Sequence, residues 1–410
     1  MNTAAAGVTS TGAQRPVSTP WLVCFGGAWF GFWLLVMLPG QFMVVKLAGV
    51  IDPQHKVSTS SALIAVMAAV IVVSVPVVGW LCDRSRPRWG RRRTWALAGM
   101  IVATVPFAFV GVQTSPWIAG LLLAVVALGE ATVLVSLSAV IADQVPQPQR
   151  GRASAAMGVP QVIALAGGMV LVTELITDVS HSWLAVAVLA LLTPLPFLLG
   201  FAEPPAPARR PRQHHGPQLL RIPDLTGYHD YFWALISRVL INAGNLVGTT
   251  YLLYFLADVL GVPDPDGALL ILVLLYLAAS GLSSWIGGNL TDKWAGRRPF
   301  VLVSGMLQAG AALCLALVPS WESALVAAVL LGLGYGTFLA VDQALLTDVL
   351  PNPETRARDL GVVNSVQHLP LAPLIGWLVL GNAGYGALYV VAALIMLVGA
   401  VSVFRIRSVA

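Results

Sequence analysis

Glu130 stands 13 residues from either end of the apolar run 117–143. A carboxyl in dry, low-dielectric surroundings is penalised in its charged form, so it is a group that binds and releases a proton as water comes and goes. Arg238, Asn242, Asn245 and Thr249 follow at intervals of four, three and four residues, which puts them on one stripe of a helix. Asp342 and Gln343 lie in the run 323–348, with Tyr335 two turns before Asp342 on the same face. Asn364, Gln367 and His368 share a face of 359–379, and Gln161 lies in 153–177. Counted at ~1.5 Å per residue, Arg238, Asp342 and His368 sit at similar depths, roughly 9–14 Å in, and can converge. Two chemistries follow: proton transfer by Glu130 and Asp342, and recognition of a polar solute by Arg238, Asn242, Asn245, Gln161, Asn364, Gln367, His368 and Tyr335. Helix packing is the alternative for Asn245 and Thr249. Trp29, Phe32 and Trp33 either line a cavity or pack a core, and Glu174 and Asp258, near the ends of their runs, read as structural.

Other chemistries lack their residues. The six histidines are scattered, and His214-His215 falls in a polar, proline-rich stretch that reads as a linker, so no metal site or catalytic constellation is expected. No Gly-x4-Gly-Lys-Ser/Thr occurs, which leaves no phosphate loop for an ATP-driven device. Cys24, Cys82 and Cys314 stand far apart, without metal or disulfide spacing. No cofactor is expected. The net charge of +5 does not point to nucleic acid, because the basic residues sit in short loops between apolar runs.

Those runs are the elements that must position the polar groups. The 410 residues are 57% hydrophobic and only 10% charged, with mean hydropathy +0.82. A soluble domain carries about 25% charged residues, so the solvent for most of this chain is lipid. Twelve runs are long enough to cross it as helices: 21–46, 57–82, 94–112, 117–143, 153–177, 183–201, 231–258, 268–288, 300–318, 323–348, 359–379 and 385–404. With twelve spans, 20 of the 23 Lys and Arg fall on one side; Lys46 and Lys56 fall opposite and Arg238 lies within. That asymmetry predicts a multi-pass protein of the cytoplasmic membrane with both termini cytoplasmic. Residues 1–20 show no removable signal peptide, and the first run is long enough to remain as a span. The expected divisions are a six-helix bundle at 1–201, a cytoplasmic linker at 202–230 and a second bundle at 231–410.

The halves repeat. Gly79-Trp80-Leu81-Cys82-Asp83-Arg84, followed by Gly90-Arg91-Arg92, returns as Gly288-Asn289-Leu290-Thr291-Asp292-Lys293, followed by Gly296-Arg297-Arg298. Asp143 with Arg150 and Arg152 likewise returns as Asp348 with Arg356 and Arg358, and Asp359 is placed to cap the next helix. Asp83 ends a helix, where the macrodipole disfavours an anion by roughly 0.3–1 kcal/mol, and Arg84, Arg91 and Arg92 are at hand to offset it. Six helices per half, an even number, keep the halves parallel.

These paired loops resemble the signature of the major facilitator superfamily, across essentially the whole chain. Pro76 to Gly79 leading into Asp83-Arg84 and Arg88-Trp89-Gly90-Arg91-Arg92-Arg93 is similar, more narrowly, to the sucrose-transporter and glycoside–cation symporter branches. The acidic pair that sodium-linked melibiose permeases carry before this loop is replaced around Ile71 and Val75 by apolar residues. The resemblance implies an all-α membrane fold of two six-helix bundles and secondary transport of a small solute by alternating access, driven by protons, in a monomer that is not an enzyme. It further implies a cytoplasmic gate of Asp83, Arg84, Arg91, Arg92, Asp143, Arg152, Asp292, Lys293, Arg297, Asp348, Arg358 and Asp359. Sugar or glycoside uptake, export of a drug or hydrophobic metabolite, and a non-transporting sensor of the same fold all stay open from the residues.

Overall fold

A computed structural model describes residues 16–203, 229–291, 297–348 and 370–407; at 142, 288–291, 343, 344 and 346–348 it describes the backbone alone. Among these residues every regular element is helical, and eleven stretches are long and apolar enough to cross a membrane. In chain order the helices are α1 (Thr19–Leu38), α2 (Val44–Ile51), α3 (Lys56–Arg84), α4 (Arg91–Val110), α5 (Pro116–Gln144), α6 (Arg150–Val170), α7 (Val179–Leu192) and α8 (Leu195–Gly200). The second half holds α9 (His229–Thr250), α10 (Leu252–Asp258), α11 (Pro265–Thr291), α12 (Arg298–Leu317), α13 (Trp321–Asp348) and α14 (Leu371–Ser402).

Local chemistry sets where the helices start and bend. Ser18 opens α1 by accepting the N–H of Trp21 at 3.3 Å, with Pro20 in the first turn. Asp178 opens α7 by accepting the N–H of His181 at 2.8 Å, a bond that also holds its carboxyl below the usual range. Pro39 lacks the N–H that would continue α1, and a π turn, Pro39–Met43, carries the chain into α2. The first span is therefore longer than the 21–46 read from sequence and reaches Ile51. The run 231–258 likewise divides at Tyr251 into α9 and α10. The expected break between 379 and 385 becomes a corner inside α14 at Gly384, whose φ of 78° suits a residue without Cβ. The start of the expected eleventh span, 359–369, lies outside the described residues, as do the linker residues 204–228.

Packing follows the two halves. Helices α1 to α8 pack among themselves, as do α9 to α14, and α3 meets α14 and α6 meets α11 across the division. Small residues set the closest approaches, as in other membrane bundles. A Cβ on Gly129 of α5 would overlap Ala103 of α4, and one on Gly334 of α13 would overlap Gln308 of α12. The outer faces stay apolar: Trp117, Leu121 and Leu317 are 89%, 67% and 74% exposed, as lipid-facing side chains are.

Candidate functional site

Arg238 of α9 and Asp342 of α13 meet as the depth count predicts. Nη1 lies 2.6 Å from Oδ2, and the side chains are only 6% and 5% exposed. Around them a polar cluster draws in two further helices, α11 and α12. The Tyr335 hydroxyl donates to Asn242 Oδ1 at 3.2 Å, and Asn242 Nδ2 donates to the Arg238 carbonyl at 2.8 Å. Asn245 Nδ2 donates to Gln308 Oε1 on α12 at 3.3 Å. The Tyr276 ring of α11 stacks on that of Tyr335, centroids 6.1 Å apart. The Thr249 hydroxyl donates to Asn245 O of its own helix at 3.0 Å. Tyr276 and Gln308 are members that the sequence reading missed. Each is the lone strongly polar side chain in the middle of its run, which was the available signal. Gln308 is fully buried, and its Nε2 has no partner among the described residues.

Glu130 sits apart, in the first half. It is 2% exposed, and neither carboxylate oxygen has a partner among the described residues. Its neighbours Gly129 and Thr132 press on α4 at Ala103 and Gly99. Gln161 of α6 turns to α1, its Nε2 3.7 Å from Met37 Sδ. The aromatic residues of α1 pack on one another: Trp29 lies edge-on to Phe32 at 5.3 Å, and Trp33 Nε1 donates to Met157 O at 2.9 Å. Asn364, Gln367 and His368 lie outside the described residues, and of Gln343 only the backbone is described.

At the arginine-rich end Arg91 and Arg92 of α4 bridge the ends of two neighbours. Arg92 reaches Asp143 Oδ2 of α5 at 2.8 Å through Nε and Asp83 Oδ1 of α3 at 3.3 Å through Nη2. Arg91 adds longer contacts to the same two acids, 3.3 Å to Asp143 and 3.6 Å to Asp83. Two expectations are corrected. Arg84 forms no ion pair with Asp83 among the described residues but lies over the Trp80 ring, its Cζ 3.7 Å from the centroid, a cation–π contact. Arg152 forms no ion pair among the described residues, and Arg150 donates to the Val145 carbonyl instead. Arg297 precedes α12 as its N-cap residue. Asp292, Lys293, Arg358 and Asp359 lie outside the described residues, and Asp348 is described in its backbone alone.

The opposite end holds what the sequence reading treated as exceptions. Lys46 Nζ of α2 lies 2.6 Å from Asp266 Oδ2 of α11 and 3.2 Å from Thr177 O. Lys56 Nζ of α3 lies 2.6 Å from Asp258 Oδ1 of α10, and the other oxygen, Oδ2, accepts the Tyr385 hydroxyl at 2.8 Å. Tyr254 donates to Val45 O at 2.7 Å, and the Ser61 and Tyr251 hydroxyls are 2.7 Å apart. Asp258 is thus part of a junction between halves rather than a lone structural acid. Asp52, between α2 and α3, accepts the Thr59 hydroxyl at 2.8 Å, which lowers its carboxyl below the usual range. Among the described residues, these side-chain bonds between the halves gather at this end.

The comparisons with known proteins agree with this architecture. The family profile described as MFS/sugar transport protein matches residues 54–392. Multidrug resistance protein MdtL of Shewanella sp. (strain ANA-3) is 33% identical over 137 residues, which is 33% of this chain and only 34% of that relative's length. A mutant of nucleoside transporter NupG aligns with TM-score 0.74 at 12% identity, covering 95% of this chain and 100% of its own. A bacterial homolog of the human lysosomal transporter Spinster, inward-facing and occupied, aligns at 0.69 with 18% identity, covering 95% and 97%. At these identities the solved structures speak for the fold. With the family profile spanning most of its length, the chain belongs to the major facilitator superfamily, in the family of MFS/sugar transport proteins.

Proposed function

We propose that the chain is a proton-coupled secondary transporter that moves a small, hydroxyl-bearing organic solute across the cytoplasmic membrane by alternating access, with both termini cytoplasmic. The observation that carries the coupling is Glu130, a buried carboxyl with neither oxygen partnered among the described residues. A charge held dry and alone is costly, so the group is neutral when closed off and ionises when water or a donor reaches it. Solute recognition falls to the second half, where Arg238, Asn242, Asn245, Tyr276 and Tyr335 offer donors and acceptors beside aromatic faces. Asp342 is the runner-up proton carrier, held by Arg238. The halves move as the bodies 1–201 and 231–410 about the linker 202–230, as a monomer, and the junction of Lys46 and Lys56 with Asp266 and Asp258 closes the outer side. Catalysis, a cofactor and a metal play no part in this reading.

The experiment uses purified protein in proteoliposomes. Glu130→Gln mimics the protonated acid at nearly the same volume, so exchange of solute at equal pH persists while pH-gradient-driven accumulation or extrusion is lost. Undiminished gradient-driven flux in Glu130→Gln removes Glu130 as the carrier and turns attention to Asp342.

A second reading, proton-driven export of a drug or hydrophobic metabolite, is favoured by the match to a multidrug resistance protein over a third of the chain. Counterflow with a panel of radiolabelled sugars, glycosides, nucleosides and drugs separates the two. No counterflow with any class would favour the sensor reading.

A further inference from the structure

The three consecutive arginines that begin α4 point different ways. Arg91 and Arg92 turn inward to Asp83 and Asp143. Arg93, a further step round the helix, turns to the end of α8, its Nε donating to Leu198 O at 2.6 Å and its Nη2 to Leu199 O at 3.2 Å. Between the start of α4 and the end of α8 lies a cavity of about 420 Å³, lined by Arg88, Trp89, Arg93, Leu199 and Glu203 among others. Glu203 does not claim the arginines. Its Oε2 accepts the backbone N–H groups of Arg92 at 2.7 Å and Arg93 at 3.2 Å, so its charge is taken up by the helix start. Gly90 makes room for this, with φ of 100° and a position where any Cβ would strike the Glu203 side chain.

What remains in the cavity is cationic and amphipathic. Arg88 is exposed and has no partner among the described residues, and Arg93 keeps its Nη1 hydrogens free of the two carbonyl bonds. Trp89 is 65% exposed beside them, an indole of the kind that seats at the boundary between headgroups and acyl chains. The cavity wall is itself apolar at Leu199, 55% exposed, and further along the same helical stretches Ile101 of α4 and Leu192 of α7 are 47% and 53% exposed. A soluble anion would have no use for that apolar continuation. A two-tailed lipid would lay its chains along it.

We infer that this cavity binds the headgroup of an anionic phospholipid, with Arg88 and Arg93 on the phosphate, Trp89 at the glycerol level and the acyl chains on α4 and α7. The inference needs only that this end of the protein meets a headgroup layer, so it stands whichever solute is carried and whichever way. Because Arg92 and Arg93 are neighbours at one helix start, a lipid held by Arg93 also steadies the Arg92 contacts to Asp83 and Asp143.

The test is native mass spectrometry of the full-length protein released from detergent containing phosphatidylglycerol or phosphatidylcholine, counting lipids retained. Wild type retains phosphatidylglycerol in preference. Arg88→Gln lowers that preference about fivefold, the weight of one basic residue near an anionic surface, while Arg86→Gln, in the same loop but outside the cavity, leaves it unchanged. Equal retention of the two lipids by wild type overturns the inference without recourse to any variant. So does equal retention by wild type and Arg88→Gln, and so does displacement of the lipid by millimolar glycerol phosphate, which would make this a site for soluble anions.

Discussion

At the scale of single residues, the buried pair is the most exacting feature. Arg238 and Asp342 are almost fully enclosed and 2.6 Å apart. Removing one partner leaves the other charge buried and uncompensated, a change of about 3–5 kcal/mol in general. Arg238→Ala and Asp342→Ala should each lower thermal stability or activity more than the double substitution does, as read by melting temperature and solute exchange on the same preparations. An additive double mutant would mean that the pair is not energetically coupled. Glu130 is its opposite: no partner offsets its charge among the described residues, so Glu130→Gln should leave stability intact or raised while it removes coupling. The counterpart of Glu130 in the repeat is Tyr335, which donates to Asn242 and cannot carry a proton in the same way. If Glu130 carries the proton as proposed, coupling should accordingly be asymmetric between the halves.

At the scale of elements, the start of α4 acts as a clasp on the ends of α3 and α5. The two acids are not equal within it. Asp83 is 57% exposed and no closer than 3.3 Å to an arginine, whereas Asp143 is 37% exposed and lies 2.8 Å from Arg92, itself only 8% exposed. Asp83→Asn should therefore cost little stability, about 0.2–1 kcal/mol as for exposed pairs. Asp143→Asn should cost more, about 1–3 kcal/mol, because it strands a largely buried guanidinium. Both should slow transport, measured as exchange rate in proteoliposomes. Cysteine accessibility that reports wild-type cycling between inward and outward states in both variants would remove the gating role. At the other end, Lys46→Gln with Lys56→Gln deletes two bonds between the halves. Cysteines placed just inside that end should then react faster with a membrane-impermeant thiol reagent added from the outside. An unchanged rate would show that the halves are held there by packing alone.

At the scale of the whole molecule, the spans, the repeat and the intramembrane charges were legible from residues alone, and the tertiary partners largely were not. The need for about 20 apolar residues per crossing is local and imposed by lipid, so a run such as 117–143 declares its helix, seen as Pro116–Gln144, without reference to any neighbour. The cost of burying a charge is equally local, which is why Glu130, Arg238 and Asp342 stood out, and matching depths were enough to pair the last two. Side-chain direction is different. α1 and α5 carry apolar side chains on nearly every side, Glu130 standing alone, so no continuous polar stripe fixes how each is turned about its axis, and glycine contacts with neighbours distant in sequence help to set that rotation. Only the assembled bundle could decide that Arg92 rather than Arg152 serves Asp143, that Arg84 lies on Trp80, and that Tyr276 and Gln308 join the polar cluster. It alone turned Lys46 and Lys56, two strays from a charge count, into the junction between the halves, because each finds its acid more than 200 residues away.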